Sequence, residues 1–86
     1  MDEVIEVMKK LVDYKIDMLS TEALTPVFIL NMDTSKFDET QLRFITSLWR
    51  DIIMEHLRRF QERNVDFNMV HWELELDQKI IEFCTQ

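Results

Sequence analysis

Residues 38–63 read DETQLRFITSLWRDIIMEHLRRFQER, and their periodicity decides the fold. Leu42, Ile45, Trp49, Ile52, His56 and Phe60 recur at helical intervals, which gathers them on one side of an α-helix beginning near Asp38. A second row, Phe44, Leu48, Ile53 and Leu57, widens the apolar arc beyond a single stripe. A helix with so broad a greasy face must touch more than one neighbouring element, so this segment is expected to be the spine of the molecule. Asp38 can accept from the free amides of the first turn, with Gln41 three residues on as in a capping box. Glu55 to Arg59 and Arg58 to Glu62 are i,i+4 pairs, and Arg58, Arg59 and Arg63 lie where cations complement the carboxyl-terminal helix dipole.

On the amino-terminal side, Asn31 to Lys36 reads as a polar connection, preceded by the dense apolar run Val27, Phe28, Ile29 and Leu30. That run is short enough for either a buried strand or a buried helical turn. Pro26 is tolerated only in a first turn or as a break, and Ser20 or Thr21 could cap a short helix before it. From Asp2 to about Leu19, apolar residues at Val4, Ile5, Met8, Leu11, Val12, Ile16 and Leu19 predict an amphipathic helix, with Tyr14 offset from the pattern. Glu6 and Lys10 make a favourable pair worth about 0.3–0.5 kcal/mol, so the apolar face must supply most of that helix's stability.

On the carboxyl-terminal side the pattern changes. Val70, Trp72, Leu74 and Leu76 alternate with His71, Glu73, Glu75 and Asp77, which favours a half-buried strand. Met69, Trp72, Leu76, Ile80 and Phe83 are spaced by three and four, so a helix is the competing reading, and residues 77–84 are helical under both. A lone strand would need pairing from residues 27–31 or from another molecule. The expected fold class is therefore mainly α: one small helical domain over residues 1–86, with a long central helix and a short strand near the carboxyl terminus.

Composition narrows the function. Of 86 residues none is glycine and Pro26 is the sole proline, which removes the P-loop, the dinucleotide fingerprint, the EF-hand and the nucleophile elbow at a stroke. Cys84 is the single cysteine, so no intrachain disulfide or cysteine-built zinc site is available and a reducing compartment is expected. No basic leader precedes an apolar run, and no stretch approaches the roughly 20 apolar residues of a membrane span, so an intracellular, cytoplasmic protein without membrane contact is expected. The net charge of −7 is uneven: residues 1–34 hold three lysines against seven acids, 35–64 six basic residues against five acids, and 65–86 one lysine against five acids. All five arginines fall in the middle segment, yet several have acids one turn away, so a solvated, self-neutralised face is expected there and nucleic-acid binding is disfavoured.

Nothing in the pattern announces catalysis. His56 and His71 are fifteen residues apart, without the short spacing that builds a metal site from one element. Asp51, Glu55 and His56 resemble a ligand cluster only until helical geometry turns His56 about 100° from Glu55; His56 reads better as a core or interface histidine. Glu73 and Glu75 would share one face of a strand, an ordinary arrangement for solvated acids. No enzyme activity, metal or cofactor is expected. Six methionines and eight Trp or Phe rings instead suggest a core with apolar residues to spare. The expectation is a protein-protein interaction module, an adaptor or small complex subunit, meeting a protein partner or a second copy through Phe44, Leu48, Trp49, Ile53, Leu57, Trp72, Leu74 and Leu76.

Two further readings attach to the same residues. Residues 38–77, with Leu48 and Trp49, then Leu57 and Phe60, then Val70, Trp72, Leu74 and Leu76, resemble the linker and first strand of COMM-domain proteins. The resemblance implies a strand opened by Trp72, in a sheet-and-helix scaffold through which members dimerise and enter trafficking assemblies; it covers under half the chain, and the first half has no counterpart. A different class of function, an acidic inhibitor of viral or immunity type occupying a partner's basic groove, would use Glu73, Glu75 and Asp77 and make association salt-sensitive.

Overall fold

The computed structural model describes residues 2–16 and 19–85. Four α-helices follow in order, α1 Asp2–Asp13, α2 Val27–Leu30, α3 Glu39–Arg63 and α4 Met69–Cys84, with short 3₁₀ turns at Glu22–Leu24 and Thr34–Lys36. No strand occurs among the described residues. At 1.5 Å per residue the 25 residues of α3 span about 37 Å, close to the 41 Å long axis of the molecule. The expected spine is thus the element that sets its length.

The start of α3 follows from its capping box. The Gln41 amide donates to Asp38 Oδ1 at 2.8 Å, and the Asp38 amide donates to Gln41 Oε1 at 2.9 Å, which satisfies two otherwise orphaned donors. The chain lacks glycine, the usual residue of a left-handed helix cap, and no described residue has positive φ. Asn64 takes over: its side-chain amide donates to the Phe60 carbonyl at 3.0 Å as the backbone turns extended. The turn into α4 is closed by rings, Phe60 edge-on to Phe67 at 4.9 Å and Phe67 stacked on Trp72 at 6.0 Å.

The strand favoured by alternation at residues 69–77 is instead the first half of α4, and with it goes the strand implied by the COMM-domain resemblance. Asn68 supplies the reason at the start, its side-chain oxygen accepting from the His71 amide at 3.1 Å as an N-cap. The alternation has its own explanation. Apolar residues at 70, 72, 74 and 76 are two interleaved i,i+4 pairs: Trp72 and Leu76 pack toward the core, while Val70 and Leu74 lie on the opposite side of the helix. A helix greasy on two faces produces the same sequence rhythm as a half-buried strand. The run 27–30, open to either reading, is a single helical turn after Pro26, whose carbonyl accepts from the Ile29 amide at 3.0 Å.

The first helix is shorter than its periodicity suggests, ending at Asp13 rather than near Leu19. Beyond it Tyr14 turns away to donate its hydroxyl to the Ala23 carbonyl at 2.6 Å, while its own carbonyl accepts from His56 Nε2 at 3.0 Å. The offset of Tyr14 from the apolar pattern marks this departure; residues 17 and 18 of the expected helix lie outside the described residues. Helices α1 and α4 both pack on α3, and α4 also meets the Glu22–Leu24 turn. The core between them contains Leu11, Leu24, Ile29, Phe37, Ile45, Trp49, Ile53, Met54, Leu57, Leu76 and Phe83.

Candidate protein-contact surface

The eight apolar residues expected to meet a partner divide cleanly. Trp49, Ile53, Leu57 and Leu76 are completely buried in the protomer's own core. Trp49 is fixed there by its indole Nε1, which donates to the Leu24 carbonyl at 2.7 Å, and by the ring of Phe83 set edge-on at 5.7 Å. Leu48 and Trp72 are half-buried and pack against that core. Only Phe44 and Leu74 remain substantially exposed, at 47% and 64%. A partner approaching the folded chain therefore reaches the edge of the expected set and not its centre.

The residues that periodicity alone does not single out complete the surface. Val70 and Ile81 are 66% and 56% exposed, and with Leu74 they recur at four and seven residues, which aligns them along one side of α4. None of the three belongs to the buried core. The inward side of the same helix carries Met69, Trp72, Leu76, Ile80 and Phe83, all in or against the core. The signal was present in the sequence as the interleaved pairs described above, but a strand reading assigns all of Val70, Trp72, Leu74 and Leu76 to one buried face and so hides it.

Beside this stripe α4 is acidic, and part of that charge is already spoken for. Arg50, from the middle of α3, reaches across to donate from Nε to Asp77 Oδ1 and from Nη2 to Glu73 Oε1, both at 2.9 Å. The hydrogen bond to Asp77 chiefly, with the nearby charge of both acids, holds the guanidinium above its already high ordinary pKa against the opposing effect of burial. Glu73 and Glu75, which a strand would set side by side, are about 200° apart around a helix. Elsewhere on α3 the expected Glu55 to Arg59 pair forms at 3.3 Å, and Arg58 pairs with Glu55 at 3.7 Å rather than with Glu62. Glu55 thus serves two arginines, and its single charge leaves this part of the basic segment with positive charge in excess.

His56 is half-buried and tied to Tyr14, a structural link between α3 and the chain leaving α1. Because a carbonyl can only accept, Nε2 carries the proton in this contact. Among the described residues no group of three or more His, Cys, Asp and Glu side chains is arranged to hold a metal ion. Among the described residues no helix is long and apolar enough to cross a membrane. Comparison with family models, curated proteins and solved structures finds no match.

Proposed function

We propose that this chain is a non-enzymatic protein-protein interaction module, an adaptor or small subunit of a larger complex, and that Val70, Leu74 and Ile81 on the outer side of α4 form its principal contact. The observation that carries the reading is a helix apolar on both sides, one side in the core and the other uncovered. Three aligned aliphatic side chains on a polar helix back present the i, i+4, i+11 spacing that a second helix or an apolar groove recognises. Burying each is worth roughly 1.5–3 kcal/mol before the costs of association, enough for a specific contact when combined with a polar rim. The cytoplasm is the proposed setting, in keeping with a lone free thiol at Cys84.

The acidic-inhibitor reading draws on the same helix but loses force because Arg50 already engages Glu73 and Asp77. The COMM-domain-like scaffold reading rests on residues 38–77, of which 69–77 are helical. The test is a photo-crosslinking residue placed at position 74, with one at position 62 on exposed polar surface as the control, in extracts of the native cells. A discrete adduct from position 74 alone, to a partner protein or a second copy, supports the proposal. Equal labelling from both positions, or none from position 74, removes it.

A further inference from the structure

A second surface, on a different part of the molecule, carries chemistry of the opposite sign. Between the segment that leaves α1 and the carboxyl-terminal third of α3 lies a groove of about 320 Å³. Ile16, Leu19 and Phe60 give it an apolar lining, while Lys15, Arg59, Arg63 and His56 supply the polar part. Not one described carboxylate lines it. Four other surface grooves each contain at least one Asp or Glu among their described lining residues.

The helix dipole accounts for Arg63, the last residue of α3, but not for Lys15, which another segment brings to the same place. Among the described residues neither Lys15 nor Arg63 has an ion-pair partner. Arg59 is held by Glu55 at 3.3 Å with both side chains more than half exposed, a contact that an incoming carboxylate can replace at little cost. The two walls are also fixed to one another, since His56 Nε2 donates to the Tyr14 carbonyl at 3.0 Å. That bond ties the chain leaving α1 to α3 beside the groove, and a groove held in this way lowers the ordering cost of binding.

We propose that this groove captures an acidic segment of a partner protein, with one Leu- or Phe-like anchor seated among Ile16, Leu19 and Phe60 and flanking Asp or Glu side chains paired with Lys15, Arg59 and Arg63. The apolar lining gives a bare inorganic anion nothing to fill it, and the volume accommodates one or two side chains rather than a folded domain. The net charge of −7 opposes nucleic acid, whose phosphates would be repelled by the chain as a whole. No α4 residue lines the groove, so this inference stands apart from the α4 contact and can fail or succeed without it.

The experiment selects a random twelve-residue peptide display library on the folded chain and on the K15E/R63E variant, both substitutions lying at exposed positions and checked for unchanged helicity by circular dichroism. Enriched peptides should place Asp or Glu beside Leu or Phe. The best of them, synthesised with a fluorescent label, should bind about tenfold more weakly to K15E/R63E, weaken further with added salt, and be unaffected by V70Q/L74Q. Enrichment of neutral or basic peptides, no enrichment, or equal affinity for the wild type and K15E/R63E overturns the proposal. So does stronger binding to anionic vesicles or single-stranded oligonucleotides than to any peptide, or light scattering that shows a second copy closing the groove.

Discussion

The indole nitrogen of Trp49 and the carbonyl oxygen of Leu24 meet at 2.7 Å, joining residues 25 apart in sequence, and both side chains are completely buried. This bond fastens the irregular segment between α1 and α3 to the spine, where no ladder of backbone hydrogen bonds could do so. Trp49→Phe keeps an aromatic ring but leaves the Leu24 carbonyl without its donor in a dry site. It should cost about 1–3 kcal/mol, read as a lowered urea midpoint. An unchanged midpoint would show that water or another donor reaches Leu24.

Arg50 bridges α3 to α4 through two acids, all three side chains being only partly exposed. A double-mutant cycle on Arg50→Ala and Asp77→Ala should give a coupling of about 0.5–1 kcal/mol that shrinks in high salt. Additive effects would mean that the two charges share geometry without energy.

Asp33 caps the Thr34–Lys36 turn, accepting from the Ser35 hydroxyl at 2.6 Å and the Ser35 amide at 3.1 Å. The hydroxyl contact first, then the amide, hold its carboxyl below the ordinary aspartate value. A depressed native pKa means that its contribution is present above the unfolded-state value and lost as pH falls through the native one. Titration followed by NMR should find Asp33 ionising below the ordinary aspartate range, with Ser35→Ala moving it back up. No movement on that substitution would assign the shift elsewhere.

The Thr25 hydroxyl is buried and has no hydrogen-bond partner among the described residues. Thr25→Val removes the unpaired oxygen at nearly constant shape, so it should leave stability unchanged or raise it by about 1 kcal/mol. A clear loss in thermal denaturation would reveal a bond to that hydroxyl.

The spine was legible because capping, period and dipole all agreed over residues 38–63, and the capping box at Asp38 and Gln41 appears as read. Where local signals conflicted, the reading went astray. Residues 69–77 could not be told from a strand by alternation alone, because period two and paired four-residue spacings coincide over seven positions. The end of α1 depends on the distant partners of Tyr14, Ala23 and His56, which no local pattern contains. The contact surface suffered the same way: Trp49, Ile53, Leu57 and Leu76 are the most apolar-looking choices and for that reason fill the core. Burial in a long helix with two neighbours uses the centre of the apolar arc first, leaving its margins to solvent.

The interaction reading depends on Val70, Leu74 and Ile81 being dispensable for the fold, which the urea midpoint of the V70Q/L74Q/I81Q chain measures directly. Because these side chains are more than half exposed and glutamine suits a helix at least as well as valine or isoleucine, each change should stay within about 0.5 kcal/mol. Leu76→Ala, on the opposite side of the same helix, should cost about 2–5 kcal/mol. A loss in the triple variant as large as that from Leu76→Ala would mean that the isolated chain itself covers the stripe, and α4 would then have no outer face to offer.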